Sequence, residues 1–558
     1  MSRSLRTRLA RPVPAVAAVT AMALLARLWA LGWRVFHQDE GRVGGWILRY
    51  METGAWEYRP IIHGPFIPHV NGVLFSWFGA SDFLARFPMA LVGGLLPLTA
   101  LLLRERLRDS EVVALAVFLA ANPLLLYYSR FMRNDMLIAA FMFAAVAFAV
   151  RAYDAERPLL LVPAALAFAL AFTTKENALA YPISWVGAGV LVFDARVLLA
   201  RERGTDVLAA ARERVGELDA ARLSGFAVAA VGGLFVFAGT FLAFYAPLPV
   251  TSPVDALTGA TVGVWDKLDT WLSAGMRDHA YIPYFIYYAK VLAYTSLPLA
   301  AFAAAGFLAD RYGGSDTRGF VGFCFFWGLS GLFGYPLITD ITAPWSAINV
   351  AVPLAVPAAV GLAGLWRLTR RAYERRDRPG TVGFALGAAT LVLAAAIGGG
   401  VAAETSYLNP QSPDLGEDGV MVQYAQPAGE MQPVLRSIER EAPANAGTDV
   451  LYYGDKLSDD EVWDEDPPPA WFDRLPLPWY TEKANATVDD TTNASVACGT
   501  DAPVVIALNP GHGGPELVAD DVGDCLRERG YTESVYQQYQ SNRPLHFFLA
   551  PGVAENGA

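Results

Sequence analysis

Phe36-His37-Gln38-Asp39-Glu40-Gly41-Arg42-Val43-Gly44-Gly45-Trp46 follows directly on the first apolar run of the chain, which covers residues 12–33. The run is long enough to cross a bilayer, which takes roughly 20 residues. It is preceded by a basic patch with Arg3, Arg6, Arg8 and Arg11. A cleavable signal peptide has a similar outline, but the many apolar runs that follow favour an uncleaved first span. Two adjacent carboxylates, Asp39 and Glu40, thus stand just beyond the end of a span. A solvated acidic loop is one reading of them, and a functional acidic pair is the other.

Composition narrows the class. The 558 residues are 54% hydrophobic with a mean hydropathy of +0.31, which describes a polytopic membrane protein and excludes a soluble enzyme. The net charge of −11 is unevenly placed, with arginine concentrated before residue 380 and Asp and Glu dominating after residue 403. Among 43 basic residues the only lysines are Lys175, Lys267, Lys290, Lys456 and Lys483. An acidic, lysine-poor exterior suits a halophile, and a GC-rich genome accounts for the missing lysines equally well. Of the three cysteines, Cys324 lies in an apolar run. Cys498 and Cys525 share the polar C-terminal part, where they can pair if that part lies outside the cell.

Further apolar runs lie near 83–103, 111–128, 136–151, 158–174, 178–193, 225–246, 284–308, 319–339, 345–366 and 381–402, giving about eleven transmembrane helices with the first. The segments 104–108, 151–157, 196–222, 310–318 and 367–378 carry most of the arginines. The positive-inside rule makes them cytoplasmic, as it does the N-terminus. The loop 34–82, the turns Tyr127–Asp135, Thr173–Asn177 and Thr339–Trp345, the loop 247–283 and everything after 403 then lie outside.

Residues 1–403 therefore read as a transmembrane domain whose outer loop 34–82 carries Asp39 and Glu40. Within that loop, 46–51 and 73–78 read as short amphipathic helices at the interface, with Trp and Tyr at headgroup level. Pro60, Gly64, Pro65 and Pro68 break the chain between them, around His63 and His69, whose spacing is a weak metal signal. Residues 404–558 change to a soluble composition. Strands are expected at 449–454 and 503–508 and helices near 427–441 and 514–529, the pattern of a small extracytoplasmic α/β domain. The sequons Asn485-Ala486-Thr487 and Asn493-Ala494-Ser495 lie in it. His512, in a Gly-rich stretch, reads as part of a turn.

Two more clusters stand on the same outer side. Tyr128-Ser129-Arg130-Phe131-Met132-Arg133-Asn134-Asp135-Met136-Leu137 puts Arg130, Arg133 and Asp135 at the mouth of a span, where a charge must face water, a partner or a ligand. Thr173-Thr174-Lys175-Glu176-Asn177 adds a rare lysine, for which interfacial snorkelling is the plain alternative.

Taken together these residues resemble the GT-C superfamily of membrane glycosyltransferases, and within it the protein O-mannosyltransferase and aminoarabinose transferase group. In that group an Asp-Glu pair follows the first helix, here Asp39-Glu40. A Ser-Arg-Phe-x-x-x-Asp-x-Met-Leu motif opens the fourth, here Ser129 to Leu137, and a lysine after the fifth matches Lys175. The chain is most similar to the archaeal flippase-activity-associated family of N-glycosylation, which has the Asp-Glu-Gly start, the Thr-Lys-Glu turn, a Pro-Trp turn (Pro344-Trp345) and a late Leu-Pro-Trp-Tyr (Leu477 to Tyr480). A Glu-Lys expected before the Pro-Trp turn is replaced by Thr339-Asp340-Ile341-Thr342-Ala343, so a lipid-phosphate contact made by that lysine is either missing or supplied elsewhere, with Arg277 and His279 of the 247–283 loop as the candidates.

The resemblance implies transfer of a sugar from a polyprenyl (dolichyl) phosphate to a glycan or protein acceptor on the outer face. Such chemistry needs a carboxylate to take the acceptor proton and cations at the leaving phosphate. Asp39 is the expected base, supported by Glu40, and Asp135 orients a cation or binds the sugar. Arg130, Arg133, Lys175, Glu176 and His63 are the expected lipid-phosphate or substrate ligands. A Mg or Mn ion held by Asp39, Glu40 and Asp135 is compatible with the pattern. The expected partners are the lipid-linked sugar, its acceptor, membrane lipids and other glycosylation-pathway membrane proteins, with no nucleic acid. The competing reading is a non-catalytic protein that assists flipping of the lipid-linked sugar. An ion-coupled transporter fits less well, because its charges would lie near the midplane.

Overall fold

The structure, a computed structural model, describes the chain outside residues 1–11, 203–219, 274–278, 314–316, 340, 376, 412–419, 423–425, 459–468, 509–517, 539–542 and 554–558. Two compact units emerge, and neither is continuous in sequence. The first comprises Met1–Trp29, Glu57–Ile67 and Phe87–Leu408; the second comprises Ala30–Trp56, Pro68–Arg86 and Asn409–Ala558.

The first unit is a bundle of apolar helices. Among the described residues of the chain, eight helices are long and apolar enough to cross a membrane: Asp82–Leu103, Asn134–Asp154, Glu176–Leu198, Arg222–Tyr245, Tyr281–Tyr312, Gly319–Ile338, Pro344–Arg375 and Arg378–Leu408. Val13–Leu28 and Pro158–Phe172 are apolar but shorter. The remaining expected span, 111–128, is broken into Asp109–Ala121 and Pro123–Tyr128. Pro123 lacks the N–H that would continue the ladder. Asn122 caps the second piece through Leu125 N and donates from Nδ2 to Ser296 Oγ at 2.9 Å. The expected eleven are thus eight long helices, two short ones and one broken one.

The Pro344–Arg375 helix is the best-buried of the eight, whereas Arg378–Leu408 is the least buried, its residues mostly exposed or half-buried. Where the Tyr281–Tyr312 and Pro344–Arg375 helices touch, Gly306 and Gly361 let backbones meet. A Cβ on Gly306 would lie 2.0 Å from the Pro357 carbonyl oxygen. Such small-residue contacts are how helices approach closely in lipid.

In the second unit the residues expected as a loop are helical. Gln38–Thr53 is one helix, begun by a capping box in which the His37 ring accepts from Asp39 N and the Glu40 carboxylate accepts from His37 N at 3.0 Å. Asp39 and Glu40 therefore occupy its first turn, where carboxylates suit the helix dipole. The expected interfacial helix at 46–51 is the interior of this longer one, and Trp46 is buried. The helix Phe66–Phe78 contains the other, with Trp77 and Phe78 exposed.

The C-terminal part carries a five-stranded sheet in the order β2-β1-β3-β5-β4. β1 (Val450–Tyr453) is parallel to β2 (Val488–Thr491) and to β3 (Val504–Leu508). β5 (Arg543–Leu549) pairs antiparallel with β3 and with β4 (Thr532–Gln538). The two expected strands are β1 and β3, and the expected helices are Gln432–Glu441 and Val518–Glu528. The core gathers Leu451, Val505, Ala507, Val522, Leu526 and Phe548. Cys498 and Cys525 are joined in a disulfide beside it.

Candidate active site

In the first unit the charged residues of the Tyr127–Asp135 and Thr173–Asn177 turns meet at the start of the Asn134–Asp154 helix. Asp135, 2% exposed, accepts from Lys175 Nζ at 3.0 Å and lies 3.5 Å from Arg133 Nε. The Arg133 guanidinium sits over the Trp345 ring, 3.7 Å from its centroid, so the Pro-Trp turn serves as a flat cation platform. Lys175 is therefore not snorkelling but bound to a buried carboxylate.

Next to Lys175, Glu176 accepts from Tyr58 Oη at 2.7 Å and pairs with His63 Nδ1 at 3.0 Å. Two backbone bonds bring these residues together: Gly64 N to Thr174 O at 3.0 Å and Phe66 N to Thr173 O at 2.9 Å. Only glycine fits at 64, since a Cβ would lie 2.3 Å from Thr173 O. His63 itself has φ 63°, a left-handed backbone that is uncommon outside glycine. Burial and then Glu176 push the Tyr58 hydroxyl far up in pKa, so it stays a donor. Two polar groups, His63–Glu176–Tyr58 and Lys175–Asp135–Arg133 with Trp345, thus adjoin through the Lys175-Glu176 step of the chain.

Arg130 is placed differently from its neighbours. Its Nη1 donates to the carbonyls of Ala26, Arg27 and Trp29 at 3.0, 3.0 and 2.6 Å, closing the end of the Val13–Leu28 helix, and its guanidinium covers the Tyr407 ring. His279 bonds the Thr339 carbonyl at 2.9 Å. Arg277, Asp340 and His512 lie outside the described residues.

The same unit holds an apolar groove of about 800 Å³, lined by Ala145, Ala164, Phe168, Trp185, Phe237 and Phe323 among others.

In the second unit Asp39 and Glu40, though adjacent, have different surroundings. Glu40 is fully buried; its Oε1 accepts from Arg86 Nε at 2.8 Å and its Oε2 from Arg86 Nη2 at 2.7 Å, with Arg34 at 3.6 Å. Burial opposes its charge, yet Arg86, Arg34 and the His37 N–H together hold its pKa down to about 2. Asp39 is the accessible member, its side chain 11% exposed, with Arg42 Nη2 on Oδ1 at 2.7 Å.

The helix that carries them is packed by the late Leu-Pro-Trp-Tyr motif. A Cβ on Gly41 would lie 2.8 Å from Pro476, one on Gly44 2.5 Å from Trp479, and one on Gly45 2.8 Å from Trp471. Trp479 in turn stacks on Phe36 at 4.8 Å. Asp82 joins the pieces: it accepts from Trp479 Nε1 at 2.8 Å, from Tyr480 Oη at 3.1 Å and from Lys483 Nζ at 3.0 Å. Asp82 and Arg86 are one turn apart on one helix, so a single element holds both Glu40 and the motif. Sequence reasoning missed them. The available signal was a pair of charges at the opening of an apolar run, which usually marks a partnered site. His69 packs against the Tyr50 and Trp56 rings.

Among the described residues no group of three or more His, Cys, Asp or Glu side chains is arranged to hold a metal ion. Each expected ligand is already compensated: Glu40 by Arg86, Asp39 by Arg42 and Asp135 by Lys175.

Comparison with known proteins agrees with the motifs. Residues 62–210 match the family profile of dolichyl-phosphate-mannose-protein mannosyltransferase. Residues 431–550 match that of the Agl23 flippase-associated protein C-terminal domain. No curated protein sequence matches the chain. ArnT from Cupriavidus metallidurans in the apo state aligns with a TM-score of 0.53 and 16% identity over 97% of this chain and 98% of that one. ArnT bound to undecaprenyl phosphate aligns at 0.51 and 17%, again over 97% and 98%. The Archaeoglobus fulgidus oligosaccharyltransferase AglB, in complex with an inhibitory peptide and a dolichol-phosphate, aligns at 0.50 and 14% over 95% of this chain and 74% of that one. The chain is thus a multi-pass membrane protein with the GT-C fold of lipid-linked sugar transferases, ending in a domain that matches the Agl23 flippase-associated type.

Proposed function

We propose that the protein transfers a sugar from a polyprenyl (dolichyl) phosphate to a glycan or protein acceptor on the outer face of the membrane, within a protein glycosylation pathway. The observation that carries this reading is the buried Asp135–Lys175 pair with Arg133 over Trp345. Cations held against a carboxylate in a dry setting are pre-organised for a second anion, and arginine suits a phosphate in particular. ArnT bound to undecaprenyl phosphate and AglB in complex with a dolichol-phosphate support a lipid phosphate as that anion. The apolar groove has the chemistry for the hydrocarbon tail.

The roles divide as follows. Asp39 takes the proton of the acceptor hydroxyl as its oxygen attacks the anomeric carbon. The bond from that carbon to the phosphate oxygen breaks, and polyprenyl phosphate leaves with the electron pair. Arg133 and Lys175 stabilise the charge on the leaving phosphate, while Asp135 orients both. His63, fixed by Glu176, donates to substrate. Glu40 keeps Asp39 in place through Arg86. One displacement inverts the anomeric configuration. No metal is required in this scheme. The positive-inside pattern and the Cys498–Cys525 disulfide support an inward N-terminus and an outward C-terminal domain.

The match to a flippase-associated domain favours one second reading, in which the same cations hold a lipid phosphate for translocation without chemistry. Mass spectrometry of lipid-linked glycans and glycoproteins separates the two. A deletion strain is compared with the same strain complemented with wild type or Asp39→Asn. Glycoproteins lacking one sugar, with its lipid donor accumulating on the outer face in the Asp39→Asn strain, support transfer. Normal glycans from Asp39→Asn, or a donor trapped on the inner face in the deletion strain, overturn it.

A further inference from the structure

The chain has twelve asparagines, and only Asn485 and Asn493 stand in Asn-x-Ser/Thr triplets. Such triplets arise readily by chance, so placement must decide. Both fall in the C-terminal domain, eight residues apart, and they bracket one strand. Asn485 lies just before β2 and Asn493 just after it.

Among the described residues β2 is an edge of the sheet. It pairs with β1 on one side and ends the strand order on the other. Its four residues are exposed or half-buried, Val488 among the exposed. An open edge presents a row of backbone N–H and C=O groups that can pair with another chain, and natural sheets cover or charge it. Asp489 and Asp490 supply some charge, but Asp490 is spent on an ion pair with Arg474.

The local geometry leaves both sequons accessible in the folded domain. Asn485 is exposed, in a turn with φ 51° whose N–H bonds Glu482 O at 3.0 Å. Thr487, its hydroxyl residue, is exposed too, while its backbone is pinned by Asp449: its N–H donates to Asp449 Oδ2 at 2.7 Å. Asn493 is exposed and caps a short helix with its carboxamide oxygen, which accepts from Ser495 N at 2.9 Å. That cap uses the oxygen and not Nδ2, the atom that N-glycosylation modifies, so modification leaves the cap intact. The disulfide Cys498–Cys525 in the same domain fits the oxidising exterior where such modification occurs.

We infer that Asn485 and Asn493 are both N-glycosylated, and that the two glycans flank and shield the open edge at β2. The donor is a lipid-linked saccharide. In each transfer a bond forms between Nδ2 and the anomeric carbon, the bond from that carbon to phosphate breaks, and one Nδ2 proton is lost to the transferring enzyme's base. The inference rests on the outward placement of the C-terminal domain proposed above.

The test takes the full-length protein from its native membranes. Peptides covering Asn485 and Asn493 are read by mass spectrometry, and spheroplasts are treated with protease in parallel. The expected result is one glycan on each asparagine, lost one at a time in Asn485→Gln and Asn493→Gln. The double variant should fold and show at least a twofold larger self-associated fraction in size-exclusion chromatography. A domain that is cleaved from outside while either asparagine is bare overturns the two-site proposal and leaves the topology standing. A domain that is protected from outside and unmodified overturns both. Occupied sites with no change in self-association in the double variant overturn the shielding role.

Discussion

Arg86 grips Glu40 with two parallel hydrogen bonds, Nε to Oε1 at 2.8 Å and Nη2 to Oε2 at 2.7 Å, with both side chains fully buried. A buried pair of this kind contributes little against an apolar pair of equal shape, but breaking it strands a charge. It therefore acts as a fixed joint beneath Asp39. Arg86→Met should cost about 3–5 kcal/mol, read as a large fall in the melting temperature of detergent-solubilised protein. Glu40→Gln/Arg86→Met together should recover part of it. Equal melting of all three proteins would refute the joint.

Asp39→Asn is expected to behave oppositely. The side chain keeps its size and its hydrogen bond from Arg42, so melting should stay within about 1 kcal/mol of wild type. Turnover with a polyprenyl-phosphate sugar should fall roughly 10²- to 10⁴-fold, the range for a lost general base. A drop in stability with unchanged turnover would reverse the assignments of Asp39 and Glu40.

Lys175→Met should weaken binding of polyprenyl phosphate by roughly tenfold to a hundredfold, the worth of one charge-assisted bond. Lys175→Arg should restore most of it. Titration with the lipid in nanodiscs reads this directly; unchanged affinity in Lys175→Met would remove Lys175 from the phosphate site.

Glu482 supplies a pH dependence. Burial raises its carboxyl to about 7, against the Trp471 hydrogen bond and Arg49, which lower it. The native state therefore holds this proton more tightly than the unfolded chain does. Its contribution is fully present below the unfolded value near 4.5 and is lost as pH rises to about 7. Glu482→Gln should abolish that slope and leave the protein more stable above pH 7, by on the order of 3 kcal/mol. Parallel melting curves of variant and wild type from pH 5 to 8 would disprove it.

Chelation is the last test. With Asp39, Glu40 and Asp135 each facing a cationic side chain, EDTA followed by Mg or Mn should change turnover less than about twofold. Strict dependence on added metal would mean that these ion pairs open in the working enzyme.

Much of the architecture was legible because hydropathy and arginine placement act along the chain. The apolar runs and strands β1 and β3 are strong periodic or continuous signals. β2, β4 and β5 were not legible: β2 reads Val-Asp-Asp-Thr, too polar to mark a strand, and β4 and β5 become strands through pairing. Asp135 and Lys175 could be singled out from position alone. Their contact could not, since forty residues separate them. The Asp39-Glu40 pair looked symmetric in sequence. What distinguishes its members is Arg86, hidden at the opening of an apolar run, and a helix start capped by a histidine, an unusual residue for that position.

The second unit is assembled from Ala30–Trp56, Pro68–Arg86 and Asn409–Ala558. The helix bearing Asp39 leaves the ribosome with its Gly41, Gly44 and Gly45 side uncovered, and Pro476, Trp479 and Trp471 follow hundreds of residues later. At roughly 5–20 residues per second, that interval is about 20 to 90 s. The nascent chain can thread all its spans before the acidic helix has anything to lean on. The packing that sets the Asp39 helix in order thus waits for residues made long after it, so a chain stopped short of Trp471 keeps that helix bare on its glycine side.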